Sequence, residues 1–246
     1  MRAVDRIFSI FDAFDIEHQK LTLQEISERV GLSKATTFRL VNSLDHKGYL
    51  IRLADQRYCL SMKLLRLAGV VAHGLSVRDV ARSVLVELAA ETGETVSLNT
   101  AMGSDRVCVD VVESTARLMH IVTLGEHAPL LYGATGKVLL AHLEDAKREA
   151  IVKTLPRTAA FTQTSLRGEL AEIRKVGYSV TSGERVPGSF AISVALYDMN
   201  NHVEFCLTVT APAARAEGQE KRFLELMLAA QRDVSLKMGS TAFIDS

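Results

Sequence analysis

The chain has 246 residues, with Lys+Arg and Asp+Glu equal at 29 each, so its net charge is zero. That length suits two domains better than one. At zero net charge, any DNA contact must rest on geometry and on a local positive surface. No apolar run reaches the ~18 residues of a membrane span. The start, Met1-Arg2-Ala3-Val4-Asp5-Arg6, lacks the basic-then-apolar layout of a signal peptide. A cytoplasmic location and no membrane partner are therefore expected. Cys59, Cys108 and Cys206 form no CxxC pair and are read as reduced core thiols, with no metal and no cofactor expected.

Val4, Ile7, Phe8, Ile10, Phe11 and Phe14 recur at helical spacing over 4–14. A second short helix spans 22–30, opened by a capping box of Thr22 with Glu25 and stopped by Gly31. Ser33 caps a third helix that ends at Gly48. Two β-leaning runs, 49–53 and 57–60, flank Ala54-Asp55-Gln56 as a hairpin. Residues 61–75 read as a linker helix. Ser76 with Asp79 is a second capping box, opening a helix to about Thr92. The period then changes. Strands are expected at 95–102, 106–113 and 118–124, helices at 135–143, 144–154 and 166–176, strands at 178–182, 190–197 and 203–210, and a last helix over 216–236. The fold class is α+β: a winged helix-turn-helix over 1–62, a linker helix over 63–76 and a mixed α/β domain over 77–246.

The segment 21–46 carries the first functional signal. A short helix, a tight turn at Gly31-Leu32-Ser33 and a second helix make a helix-turn-helix. Ile26 and Val30 are expected to face Ala35, Phe38 and Leu40 or Val41. The first residues of the second helix supply base and phosphate contacts in such motifs. Ser33, Lys34, Ala35, Thr36, Thr37 and Arg39 are the candidates, and Arg39 suits either a guanine or a phosphate. The hairpin sits where a wing belongs, so Arg52, Gln56 and Arg57 are added for the flanking backbone. An ordinary helical hairpin with a solvated polar face carries the same helix-turn-helix pattern; the hairpin that follows favours double-stranded DNA as the partner.

A second signal is Gly133-Ala134-Thr135-Gly136-Lys137, where small residues open a helix. Unpaired N–H groups and the helix dipole there favour an anion such as a carboxylate, although both glycines would also serve turn geometry.

The run GLSKATTFRLVNSLDHKGYL resembles the recognition helix and wing start of the IclR family of bacterial regulators. GEHAPLLYGATGKVLLAHL and IRKVGYSVTSGERVPGSFAISVALYDMNNHVEFCLTVTAPAAR resemble the two signatures of that family's C-terminal domain. The matches follow in order over about 240 residues. The resemblance implies a GAF-like or profilin-like domain, an antiparallel sheet with flanking helices and a cavity for a small-molecule effector. Gly133, Ala134 and Thr135 of the helix opening are candidate effector contacts, and, carried over by position from the family, further contacts fall on Thr181, Ala191, Thr208 and Thr210. Relatives that bind very small oxo-acids have an acidic residue in place of Thr181 and a cysteine in place of Ala191. Both changes imply a less polar cavity; Met102, Met119, Leu130, Phe190 and Phe205 are candidates for its apolar lining, with core packing the commoner use of such residues. The expected effector is a small organic acid with a larger apolar body, an aromatic acid among them.

No G-x-S-x-G elbow, P-loop or H-E-x-x-H occurs, so no catalytic residues are assigned and no enzyme is expected. The reading is a repressor that binds a near-palindromic operator as a homodimer or tetramer. The alternatives are an activator of the same architecture, or a small-molecule-binding protein or enzyme with a helix-turn-helix-like hairpin.

Overall fold

A computed structural model describes residues 3–15, 17–67, 76–116, 122–156 and 160–244. The chain divides into two compact units, Met1–Leu75 and Ser76–Ser246.

In the first unit, α1 (Ala3–Asp12), α2 (Leu23–Val30) and α3 (Lys34–His46) precede a hairpin of β1 (Leu50–Arg52) and β2 (Tyr58–Leu60). Thr22 caps α2 in a full capping box with Glu25, a device worth about 1 kcal/mol. Gly31 ends α2 at φ 65°, a left-handed conformation that a β-carbon would strain. Ser33 then caps α3 by accepting the Thr36 N–H. Ile10, Ile26, Val41, Leu44, Leu50 and Tyr58 are buried together as the core. Leu21 exchanges both backbone hydrogen bonds with Tyr58 at 3.0 and 2.7 Å, tying the start of α2 to the hairpin.

In the second unit, one antiparallel sheet holds six strands in the order β5-β4-β3-β8-β7-β6. They are β3 (Thr95–Met102), β4 (Asp105–Val112), β5 (His127–Pro129), β6 (Tyr178–Ser182), β7 (Ser189–Tyr197) and β8 (Val203–Pro212). The helices are α4 (Val77–Thr92), α5 (Gly133–His142), α6 (Asp145–Lys153), α7 (Gln163–Val176), α8 (Ala213–Ala216) and α9 (Glu220–Lys237). Alternation along the strands sorts the two faces. Ile192, Val194, Leu196, Leu207 and Val209 point to a core shared with α4 and α9. Ala195 and Cys206 point the other way, against α5 and α7. Ser193 and Thr208 share that second face by the same alternation, as does Ser97, which pairs with Thr208.

The winged helix-turn-helix and the α+β sheet domain agree with the sequence reading; several elements differ in detail. The expected strand at 118–124 lies mostly outside the described residues, and 122–124 is not strand; the edge strand beside β4 is β5, which has only three residues. Helix α7 starts at Gln163 through a capping box of Thr162 with Ser165, so the expected start at 166 comes too late. The last helix is broken into α8 and α9, with Gly218 at φ 77° between them. The linker helix is described only as far as 67, where 63–67 is helical.

Candidate DNA-reading helix and effector cavity

The exposed face of α3 is rotated from the one read in the sequence. Thr37 is fully buried, and its hydroxyl donates to the Ser33 carbonyl at 3.1 Å. Ala35 and Phe38 point out, with Phe38 46% exposed, where the sequence reading had placed both in the core. Lys34, Ala35, Phe38, Arg39 and Asn42 form one outward stripe at helical spacing. Ser33 is exposed but shares its hydroxyl with Thr36 at 3.0 Å. The inversion has a simple cause: a β-branched hydroxyl that bonds back to the preceding turn loses its polarity and packs like valine. Asn42 and Phe38 were missed because an aromatic at helical spacing reads as core and position 42 lies beyond the first turn.

On the wing, the Arg52 guanidinium donates to Gln56. Gln56 holds φ 67°, which suits the tight hairpin turn. Arg57 pairs with Asp55 at 2.6 Å, both side chains exposed, so its positive field is offset inside the wing itself. The Asp55 carboxyl is held below its usual range by the hydrogen bonds from Arg57.

In the second unit, a small cavity of about 30 Å³ lies beside the first turn of α5 and the strands β3, β6, β7 and β8. The structure brings six of the residues expected from the sequence to its wall: Gly133, Ala134, Thr135, Thr181, Ala191 and Thr210. Thr208 sits behind the wall. It donates to Ser193 at 3.0 Å, whose own hydroxyl donates to the Leu207 carbonyl, and so accepts from Thr135 at 3.0 Å, which fixes the Thr135 hydroxyl. Four expected apolar residues are elsewhere. Phe190 and Phe205 pack on the opposite face of the sheet, Leu130 is buried in the α5–α7 core, and Met102 is 61% exposed. Met119 lies outside the described residues.

The wall is rich in donors. Ser97, Arg106, Arg185 and Ser189 line it, none of them expected from the sequence. Arg106 is 5% exposed, donates to Asn99 at 3.1 Å and pairs with Glu126 at 2.9 Å. Arg185 reaches the same oxygen, Oε1 of Glu126, at 3.3 Å. Burial and the neighbouring Arg106 charge both hold the Arg185 pKa below that of a free guanidinium. The sequence offered no sign of this pair, because Arg106 on β4 and Arg185 after β6 are joined only by the sheet.

The first turn of α5 is already engaged. Glu184 accepts the Gly133 N–H at 3.0 Å and Thr181 accepts the Ala134 N–H at 3.1 Å. The other Glu184 oxygen takes Lys137 Nζ at 2.6 Å; Lys137 is 3% exposed and also meets both oxygens of Glu169 at 2.8 Å. Gly136 lies so close to the preceding segment that a β-carbon would fall 2.6 Å from the Leu130 carbonyl oxygen. Among the described residues, no group of His, Cys, Asp and Glu is arranged to hold a metal ion, and no helix is long and apolar enough to cross a membrane.

Residues 3–53 match the IclR helix-turn-helix domain, and residues 69–236 match the family described as bacterial transcriptional regulator IclR C-terminal. The chain belongs to the IclR family of transcriptional regulators. It is similar to the HTH-type transcriptional regulator XynR of Escherichia coli, 27% identical over 98% of this chain and 99% of that protein. Among solved structures, the repressor BlcR of Agrobacterium tumefaciens superposes with a TM-score of 0.81 at 22% identity, covering 98% of each chain. An IclR homolog of Microbacterium hydrocarbonoxydans, solved in complex with 4-hydroxybenzoate, gives a TM-score of 0.60 at 21% identity over 96% of this chain and 98% of that one. Membership of the IclR family makes the chain a DNA-binding transcriptional regulator with an effector-binding domain, and sets aside the enzyme reading.

Proposed function

We propose that this chain is an effector-responsive repressor that releases or grips a near-palindromic operator when a small organic acid enters the cavity beside α5. The supporting observation is the cavity wall itself, lined by two guanidinium groups and several hydroxyls, which together favour a carboxylate ligand. Residues 1–62 hold the DNA, with Lys34, Ala35, Phe38, Arg39 and Asn42 facing the major groove and Arg52 on the wing near the backbone. Residues 63–76 link this part to the effector domain, 77–246. A homodimer presents two recognition helices to successive major grooves, and a tetramer made of two such dimers is the larger form in view. The acid acts by shifting the population between arrangements that fit the operator and arrangements that do not.

Repression is the proposed sign of regulation, in keeping with the repressor named among the similar structures. The ligand is a compact hydroxy- or oxo-acid on the strength of the polar wall. An aromatic acid is the second reading, favoured by the 4-hydroxybenzoate held by the Microbacterium homolog. A mobility-shift assay on the DNA upstream of the chain's own gene, with random DNA as control and a panel of organic acids, tests both. A sequence-specific shift that one acid abolishes or strengthens supports the proposal. Only salt-sensitive, sequence-blind binding would sink it. A reporter assay with and without the protein separates repression from activation.

A further inference from the structure

We infer that the groove between α6 and α7 is a second ligand site, a seat for a phosphate dianion, free or carried by a small metabolite. It is separate from the cavity beside α5 and does not depend on the acid-sensing reading. Along α7, Leu166, Leu170 and Ile173 turn to the core. The adjoining stripe, Arg167, Ala171, Arg174 and Lys175, lines the groove. Ala171 and, on α5, Ala141 bring only methyl groups to it. The space is about 470 Å³, within the roughly 300–1,000 Å³ of small-molecule sites.

The charges in this groove do not cancel. Arg167 and Glu149 form a closed fork, with Nε and Nη2 donating to the two carboxylate oxygens at 3.0 and 2.6 Å, so this pair contributes no net charge. The other cations of the lining are Arg148, Arg174 and Lys175. Arg148 and Arg174 share a single oxygen, Oδ1 of Asp145, at 2.9 and 3.2 Å. Lys175 has no acidic partner among the described residues. Three cations against one carboxylate leave a surplus of two positive charges. Asp145 is 81% exposed, so turning away into solvent costs it little. Arg148 keeps its orientation without Asp145, because it is only 25% exposed and its Nη1 also donates to the Leu143 carbonyl at 3.2 Å.

The arrangement suits a dianion better than a carboxylate. Two guanidinium groups that already meet at one oxygen can each take an oxygen of a tetrahedral anion, with Lys175 adding a point charge. A phosphate monoester brings a charge of about −1.5 to −2 and three acceptor oxygens, which matches the surplus. Asp145 is then the ligand's competitor, a like charge at the same two guanidiniums.

Calorimetric titration of the full chain at low ionic strength tests this, with inorganic phosphate, glycerol 3-phosphate and phenyl phosphate as probes and glycerol as the uncharged control. Saturable binding of at least one phosphate, and none of glycerol, is expected. Arg174→Gln combined with Lys175→Gln should weaken it by about tenfold or more, and Asp145→Asn should tighten it by about threefold or more. Both residues of the double variant are exposed, and circular dichroism verifies its fold. Arg39→Gln, in the DNA-binding unit, and Lys221→Gln, on α9, should leave binding unchanged. Esters that bind more tightly than inorganic phosphate identify the ligand as a phosphorylated metabolite, and equal affinities identify it as free phosphate. The inference fails if no phosphate binds wild type, if the double variant binds as wild type does, or if Asp145→Asn weakens binding. Loss of binding in Arg39→Gln would move the anion to the DNA-reading face and overturn it as well. None of these outcomes touches the acid-sensing reading, which its own assay tests.

Discussion

The Glu184 carboxylate joins the Gly133 N–H, at 3.0 Å, to the buried Lys137 ammonium, at 2.6 Å. One side chain thus closes the first turn of α5 and neutralises a cation that is 3% exposed. Breaking a buried pair from one side leaves the other charge uncompensated. Glu184→Ala should destabilise the second unit by about 2–4 kcal/mol in chemical denaturation. Glu184→Gln keeps an acceptor for Gly133 and should lose about half as much. Equal stability of the alanine variant and wild type would show that Glu169 alone suffices for Lys137.

The outward stripe of α3 predicts a split among neighbouring substitutions. Phe38→Ala should weaken operator binding by about 1 kcal/mol through lost apolar contact, and Arg39→Ala by about 1–3 kcal/mol if it holds a base with two hydrogen bonds. Thr37→Val should leave operator affinity within about twofold and lower stability by about 1 kcal/mol, because it removes only the hydrogen bond to Ser33. Mobility shifts paired with melting curves check all three, and a large affinity loss in Thr37→Val would contradict the orientation of α3 described above.

A methyl group at position 136 would strike backbone, with the Leu130 oxygen, carbon and Cα at 2.6, 2.9 and 3.0 Å. Backbone cannot rotate aside as a side chain can, so α5 must move. Gly136→Ala should cost about 1–3 kcal/mol despite the better helix propensity of alanine. A neutral or stabilising result in thermal denaturation would mean that the segment ahead of α5 yields freely.

His142 closes α5 with Nδ1 on the Val138 carbonyl at 2.8 Å, and its Nε2 is buried without a partner. Burial, and then the Arg174 charge, holds its pKa below 6.5 in the folded state, against the pull of the Val138 carbonyl. A depressed folded pKa gives stability that is complete above the unfolded value and is lost as the pH falls through the folded one. The melting temperature should therefore decline below about pH 6.5. His142→Gln should flatten that decline while leaving the neutral-pH fold in place. An acid limb of unchanged slope would assign it to other groups.

Local chemistry was legible in the sequence. The capping boxes at Thr22 and Ser76, the stop at Gly31 and the alternation of β7 and β8 each depend on residues near one another in the chain. The polar side of the cavity was legible only in part. Thr181, Ala191 and Thr210 were found through the family resemblance, whereas Arg106, Arg185 and Ser97 were not. They meet because β3, β4 and the connection after β6, far apart in the chain, come together beside the first turn of α5, a relation that no window of sequence contains. Phe190 and Phe205 failed for the opposite reason: a strand offers two faces, and apolarity alone does not say which one borders the ligand.

The cavity volume of about 30 Å³ is that of roughly one water molecule. An organic acid needs more room than this, so the walls must part further to seat one. Association would then be governed by how often that parting happens rather than by collision alone. In stopped-flow mixing, the observed rate should rise with ligand concentration and then level off at the opening rate.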